Sequence, residues 1–207
     1  MRNWFLGKSV MLLLSFLYLI GACTQKNDKT EVSVKNNKMS FVESDSVKTG
    51  FSKTGFSKTG FPKSWIGSWK GELVIDNTDK DTTMQIPMEL NIAPSQKSGR
   101  WKWQLVYNGS PRDYELVAFK TEEGHFKMDE QNTIILDQQL FGNTFLSRYD
   151  VAGNLILVSN KLLGNEMLFE VIFSRSDTVN ITGGEGEVPQ VKSYPISVYQ
   201  RAILRKE

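Results

Sequence analysis

The chain has 207 residues, with 25 basic and 23 acidic side chains, one histidine and one cysteine. Taking away the first 22 residues, whose only charges are Arg2 and Lys8, leaves 185 residues with 23 charges of each sign. This balance disfavours a nucleic-acid partner, which needs a basic surplus to neutralise phosphates. A His/Cys metal cage lacks its ligands, and Ser-His or Cys-His catalysis would depend on His125 alone, so the chain is expected to be no enzyme and to carry no metal or cofactor.

Arg2 and Lys8 precede an apolar run from Val10 to Ile20, followed by Gly21 and Ala22 before Cys23. That is the order of a secretory signal peptide, and the run is shorter than the roughly 20 residues that span a bilayer as a helix. Leu19-Ile20-Gly21-Ala22-Cys23 resembles the lipobox of bacterial lipoproteins. The resemblance implies cleavage after residue 22, lipidation of Cys23 with a diacylglyceryl group, and a partner that is the membrane itself. Two or three acyl chains of the palmitate kind hold a protein firmly where one holds it only reversibly. Thr24 and the absence of aspartate at the second mature position fit outer-membrane delivery under the enteric sorting rule. The expected location is therefore the bacterial cell envelope, on either face of the outer membrane.

Residues 23–63 read as a flexible tether: from Thr24 to Lys63 there are eight lysines against four acidic residues and no tryptophan. Within it Lys48-Thr49-Gly50-Phe51-Ser52 recurs at Lys53 and again, ending in Phe61-Pro62, at Lys58. A five-residue period matches neither helix nor strand, so the repeat reads as a spacer, with a reach of about 35 Å as a flexible coil. Aromatic-basic beads that touch a membrane surface or an anionic polymer are the sharper alternative.

Residues 64–207 form the expected folded body. Alternation of apolar and polar residues marks strands at Trp69 to Ile75, Met84 to Ile92 and Trp101 to Asn108. Further runs are Tyr114 to Lys120, His125 to Met128, Thr133 to Leu136, Thr144 to Val151, Leu155 to Ser159, Met167 to Arg175 and Ile196 to Leu204. Asn108-Gly109, Gly142-Asn143, Gly153-Asn154 and Gly164-Asn165 fall between runs, as tight hairpin turns require. No long amphipathic helix interrupts them, and Gly183 to Glu187 reads as a flexible connection. The expected fold is all-β: an antiparallel up-and-down meander closed as a small barrel.

Gly67-Ser68-Trp69, inside Trp65-Ile66-Gly67-Ser68-Trp69-Lys70, resembles the G-x-W opening of lipocalin-like (calycin) barrels. The resemblance implies that Trp69 begins the first strand and plugs one barrel end beneath a late arginine, for which Arg175, Arg201 and Arg205 are candidates. The T-D-Y motif has no clear copy: Arg112-Asp113-Tyr114 falls on an early strand. His125 reads as a turn histidine, with an axial haem ligand as the alternative that nitrobindin-type barrels supply. Asp129-Glu130-Gln131-Asn132 reads as a polar turn in preference to an acid-base pair. Asp76, Asp79 and Asp81 lack the glycine and closing glutamate of a calcium loop.

Trp69, Trp101, Trp103 and Tyr107 are the candidate ligand-binding residues, because aromatic faces with polar tips line apolar pockets; core packing is the competing assignment. Two functions follow. One is a lipid-anchored lipoprotein whose barrel binds or carries a small apolar ligand. The other is a non-catalytic envelope interaction protein, an inhibitor or assembly factor, with a solid barrel and working loops.

Overall fold

The computed structural model describes residues 60–78 and 80–207, all within one compact unit. The expected signal peptide, the lipidation at Cys23, the tether up to residue 59 and Asp79 lie outside the described residues.

Ten antiparallel strands close into a barrel. Nine follow one another as a meander: β1 (Gly67–Asn77), β2 (Thr82–Pro94), β3 (Arg100–Tyr107), β4 (Ser110–Lys120), β5 (His125–Asp129), β6 (Ile135–Phe141), β7 (Thr144–Val151), β8 (Asn154–Leu163) and β9 (Glu166–Arg175). A short pair, β10 (Asn180–Thr182) and β11 (Val191–Ser193), stands apart as its own two-stranded sheet. The last strand, β12 (Ile196–Lys206), inserts between β9 and β1 and removes both free edges. Among the described residues the only helical element is a 3₁₀ turn at Thr121–Glu123.

The ten runs read from alternation are the ten barrel strands, because a wall with one wet and one dry face imposes period two on every strand. Two details differ. β6 runs on to Phe141, through Asp137, Gln138 and Gln139, whose polar side chains mask the alternation. Gly183 to Glu187 is not a plain connection but lies in the turn between β10 and β11. The turns use positive φ as expected at Asn108 (47°) and Gly109 (77°); the pair after β7 is Ala152 (49°) and Gly153 (77°), and Asn154 already belongs to β8.

The inner faces of the strands carry Leu73, Leu90, Ile92, Leu116, Phe126, Phe145, Met167, Phe169 and Leu204, all essentially without solvent contact. Phe61, which composition assigns to the tether, is 6% exposed and belongs to this core. Its ring meets those of Trp101, Phe126 and Phe145 edge-on at centroid distances of 4.8, 5.3 and 5.2 Å. A tight turn holds it there: Ser64 N–H donates to Gly60 O, and Trp65 and Ile66 N–H both donate to Pro62 O.

Candidate functional site

The two barrel ends differ in chemistry. At the end where β1 begins, the Phe61–Trp65 turn enters the barrel and stops it with rings. Trp69 is fully buried and its indole N–H donates to Trp65 O at 2.9 Å. Trp65 packs on Phe145 and Trp103 at 5.1 and 6.3 Å. Trp101 closes the set through Phe61 and Phe126. Three of the four residues proposed to line a ligand pocket, Trp69, Trp101 and Trp103, are thus packed against one another's neighbours in a solid aromatic stopper.

The cation over Trp69 is not Arg175, Arg201 or Arg205. Those three engage Asp177, Asp76 and Glu166 on the outside of the barrel. Lys206 takes the position, with its ammonium 5.0 Å from the Trp69 ring centroid while it also donates to Ser64 O. Gly67 makes this possible. Its φ is +143°, which side chains rarely adopt, and a Cβ there would stand 2.6 Å from Lys206 Cε. The glycine of the Gly-x-Trp triplet therefore leaves room for the cation that covers its tryptophan.

At the opposite end the burial of the inward side chains is uneven. Ile75, Ile86, Leu105 and Leu136 face inwards by alternation and keep solvent contact, whereas Met128, Ile156, Phe173 and Val198 at the same end do not. Tyr107, the fourth proposed residue, stands here. The β3–β4 register sets Leu105 opposite Arg112 and Trp103 opposite Tyr114, so Tyr107, Arg112 and Tyr114 share one inner face. The Arg112 guanidinium lies 5.5 Å from the Tyr107 ring centroid and donates to the Tyr114 hydroxyl. Tyr149 of β7 and Glu130, after β5, complete the group by their electrostatic coupling to it.

Burial governs this cluster's protonation. It pushes the phenols of Tyr107 and Tyr149 well above their usual range, and Tyr114 in the same direction with Glu130 adding to the effect. All three keep their hydroxyl protons at neutral pH. Burial likewise raises Glu130, against the opposing pull of the Asn132 amide and of Arg112. Arg112, Tyr114, Tyr149 and Glu130 were not singled out from the sequence. Arg112 and Tyr114 were met only as a mismatch to T-D-Y, and Glu130 only as a turn residue. Asp129 does make that turn, accepting from Gln131 N–H at 2.8 Å.

The wall beside the cluster is split. β6 and β7 pair only over Gln139–Phe141 and Thr144–Leu146; beyond that, the Ser147 hydroxyl bonded to Asp137 O at 2.7 Å is the bridge. A cleft of about 380 Å³ occupies the seam, lined by residues that include His125, Gln138, Ser147 and Arg148. Asp137, Gln139, Leu146, Arg148 and Leu157 of its lining face outwards by alternation, so the cleft lies on the outer side of the wall. His125 itself is exposed, at the start of β5. Deeper inside, Asn160 Oδ1 and Gln200 Nε2 are buried without a hydrogen-bond partner, an unusual condition for interior polar atoms. Among the described residues no group of three His, Cys, Asp or Glu is placed to hold a metal.

No family model matches the chain, and no curated protein does. Solved structures do. A protein of unknown function from the DUF3598 family of Nostoc punctiforme matches at 11% identity and TM-score 0.51, over 70% of this chain and 48% of the other. The chain thus spans about half the length of that relative. An S-type phycobiliprotein lyase from Guillardia theta matches at 11% identity and TM-score 0.45, over 69% of this chain and 88% of the other. The likeness to the DUF3598 protein and the closed ten-strand wall agree on a β-barrel fold. The expectation that the chain is no enzyme is withdrawn, because a protein titled a lyase is among the matched structures.

Proposed function

We propose that this chain is a bacterial envelope lipoprotein, anchored by acyl chains on Cys23 and delivered to the outer membrane, whose barrel binds a small apolar molecule through its open end. One observation carries the binding reading. The interior is filled with rings at one end, while at the other Ile75, Ile86, Leu105 and Leu136 stay half-exposed on the inner face. Apolar surface left wet on a concave face is where a ligand gains most from burial. The anchor reading rests on the lipobox resemblance at Leu19 to Cys23.

Native mass spectrometry of the protein purified from envelopes, followed by a thermal-shift screen of apolar compounds, tests this. A co-purifying small molecule is expected, and a ligand at 100 times its Kd adds about 2.7 kcal/mol of apparent stability. A bare protein that no compound in the screen stabilises refutes the binding reading.

A second reading, an envelope interaction protein acting through its loops, is favoured by the β10–β11 arm. Residues 180–196 are exposed throughout and display Ile181, Val188, Val191, Tyr194 and Ile196 to solvent, as interaction surfaces do.

A further inference from the structure

β10 and β11 form a two-stranded sheet of their own, so each presents one free edge, and the two edges are built differently. β11 carries Lys192 and is flanked by Pro189 and Pro195. Lysine and proline are what natural edge strands use to refuse a neighbour. β10 has neither: from Thr178 to Gly184 there is no charge and no proline. A lone two-stranded hairpin is marginal in water and gains from a further strand. The side chains decide which strand fits. β10 pairs with β11 through Asn180↔Ser193, Ile181↔Lys192 and Thr182↔Val191, which leaves Ile181, 53% exposed, beside Lys192 on one side and open on the other. A second β10 laid antiparallel along that edge about Ile181 sets Ile181 against Ile181 and each Asn180 amide against a Thr182 hydroxyl, an apolar pair between two hydrogen-bonding ones. β10 brings no charge to this pairing, and the nearest acid before it, Asp177, is held by Arg175. Pairing through β11 about its middle residue would instead set Lys192 against Lys192, and like charges directly opposite are destabilising.

We propose that two copies of this chain associate through their arms, β10 against β10 about a two-fold axis at Ile181, making one four-stranded sheet in the order β11-β10-β10-β11. This rests on the reading of the arm as an interaction surface and adds to it the partner, a second copy. The same patch serves both copies, so the contact closes on itself and stops at a dimer. With strands of three residues the contact falls below the area of a standard interface, and the dimer is a weak one, with a Kd in roughly the micromolar range.

The test is sedimentation velocity of the full mature chain carrying Cys23→Ser, so that neither acyl groups nor the native thiol associate it, over a concentration series that spans the micromolar range. The fraction of dimer is expected to rise with concentration. Ile181→Lys should stay monomeric throughout while keeping the parent's Tm at dilution, which shows that it folds. Ile135→Lys, at a 60% exposed position on the barrel wall, should leave the dimer as it is. Ile181→Cys should cross-link to a disulfide dimer under mild oxidation, because directly opposed Cβ atoms lie about 4.5–5.5 Å apart, whereas Lys192→Cys should not. A parent that is monomeric at every concentration, a dimer that survives Ile181→Lys, or a Lys192→Cys chain that cross-links as readily as Ile181→Cys overturns the proposal. A photo-cross-linking residue placed at Thr182 in intact cells separates the pairing from the reading beneath it. An adduct of twice the chain's mass supports the pairing, an adduct with another protein overturns it and leaves the interaction reading standing, and no adduct removes both.

Discussion

Replacing Phe61 with alanine tests where the folded body begins. The ring is 6% exposed and is held between Trp101, Phe126, Phe145 and Trp65 at 4.8, 5.3, 5.2 and 6.2 Å. Its removal takes a whole aromatic side chain out of a packed cluster, at a cost of about 3–5 kcal/mol from lost transfer energy and the cavity left behind. The low end applies if the Gly60–Ile66 turn collapses into the gap. For a domain of this size each kcal/mol moves Tm by about 2–4 °C, so Tm should fall by on the order of 10 °C. Calorimetry of the mature chain measures this, with Phe119→Ala as the control. Phe119 is 58% exposed and touches little beyond the Lys127 ammonium, so its loss should cost under about 1 kcal/mol. If Phe61→Ala melts together with the control, residue 61 is spacer in solution, as its composition implies, and the ring-stoppered end is wrong.

Three further outcomes follow. Because burial raises the Glu130 pKa above its ordinary 4.5, the folded state holds a proton that the unfolded state releases. That contribution is full below about pH 4.5 and is lost as pH rises through the folded value. Glu130→Gln should accordingly be more stable than the parent at pH 7 and not at pH 4 in urea titrations, and a constant difference across that window refutes the assignment. Gly67→Ala should cost about 1–3 kcal/mol through its strained backbone and through a Cβ that displaces the Lys206 side chain, and Lys206→Ala about 0.5–1 kcal/mol through the lost ring contact; in the double variant the lost contact should count once while the backbone strain remains in full. Cys23→Ala should leave an unlabelled precursor when cells are fed a fatty-acid analogue, and an unlabelled parent would remove the anchor.

The strands were legible because a closed barrel wall obliges every strand to alternate, and Trp101-Lys102-Trp103-Gln104-Leu105 obeys that rule without exception. Alternation says which face a side chain takes but not its height along the barrel. Tyr107 and Trp103 therefore looked equivalent, although one lies in the stopper and the other at the mouth. Nor does it say what lies across the interior, so Arg112 and Tyr149, on strands three apart in the wall, could not be brought together. Phe61 was hidden by its repeat. The clue was the break in the repeat itself, where Phe-Ser becomes Phe-Pro four residues before Trp65. Lys206 is not legible from a motif that places a guanidinium above Trp69, because an ammonium on a flexible stem serves the same ring.

Both ends of the described chain gather at the stoppered pole. Lys206 bonds to Ser64 O, Glu207 N–H donates to Ser68 O at 3.0 Å, and the Glu207 carboxylate meets Lys70 at 3.0 Å. The turn before β1 and the end of β12 are thus tied together at one pole. A strand of eight residues spans roughly 26 Å before tilt, so the tyrosine-lined end lies about a barrel's length from the Phe61 turn. Tension along the chain entering at Gly60 reaches the rings around Phe61 before it reaches any rung of the sheet, which makes the floor of the vessel also its hinge pin.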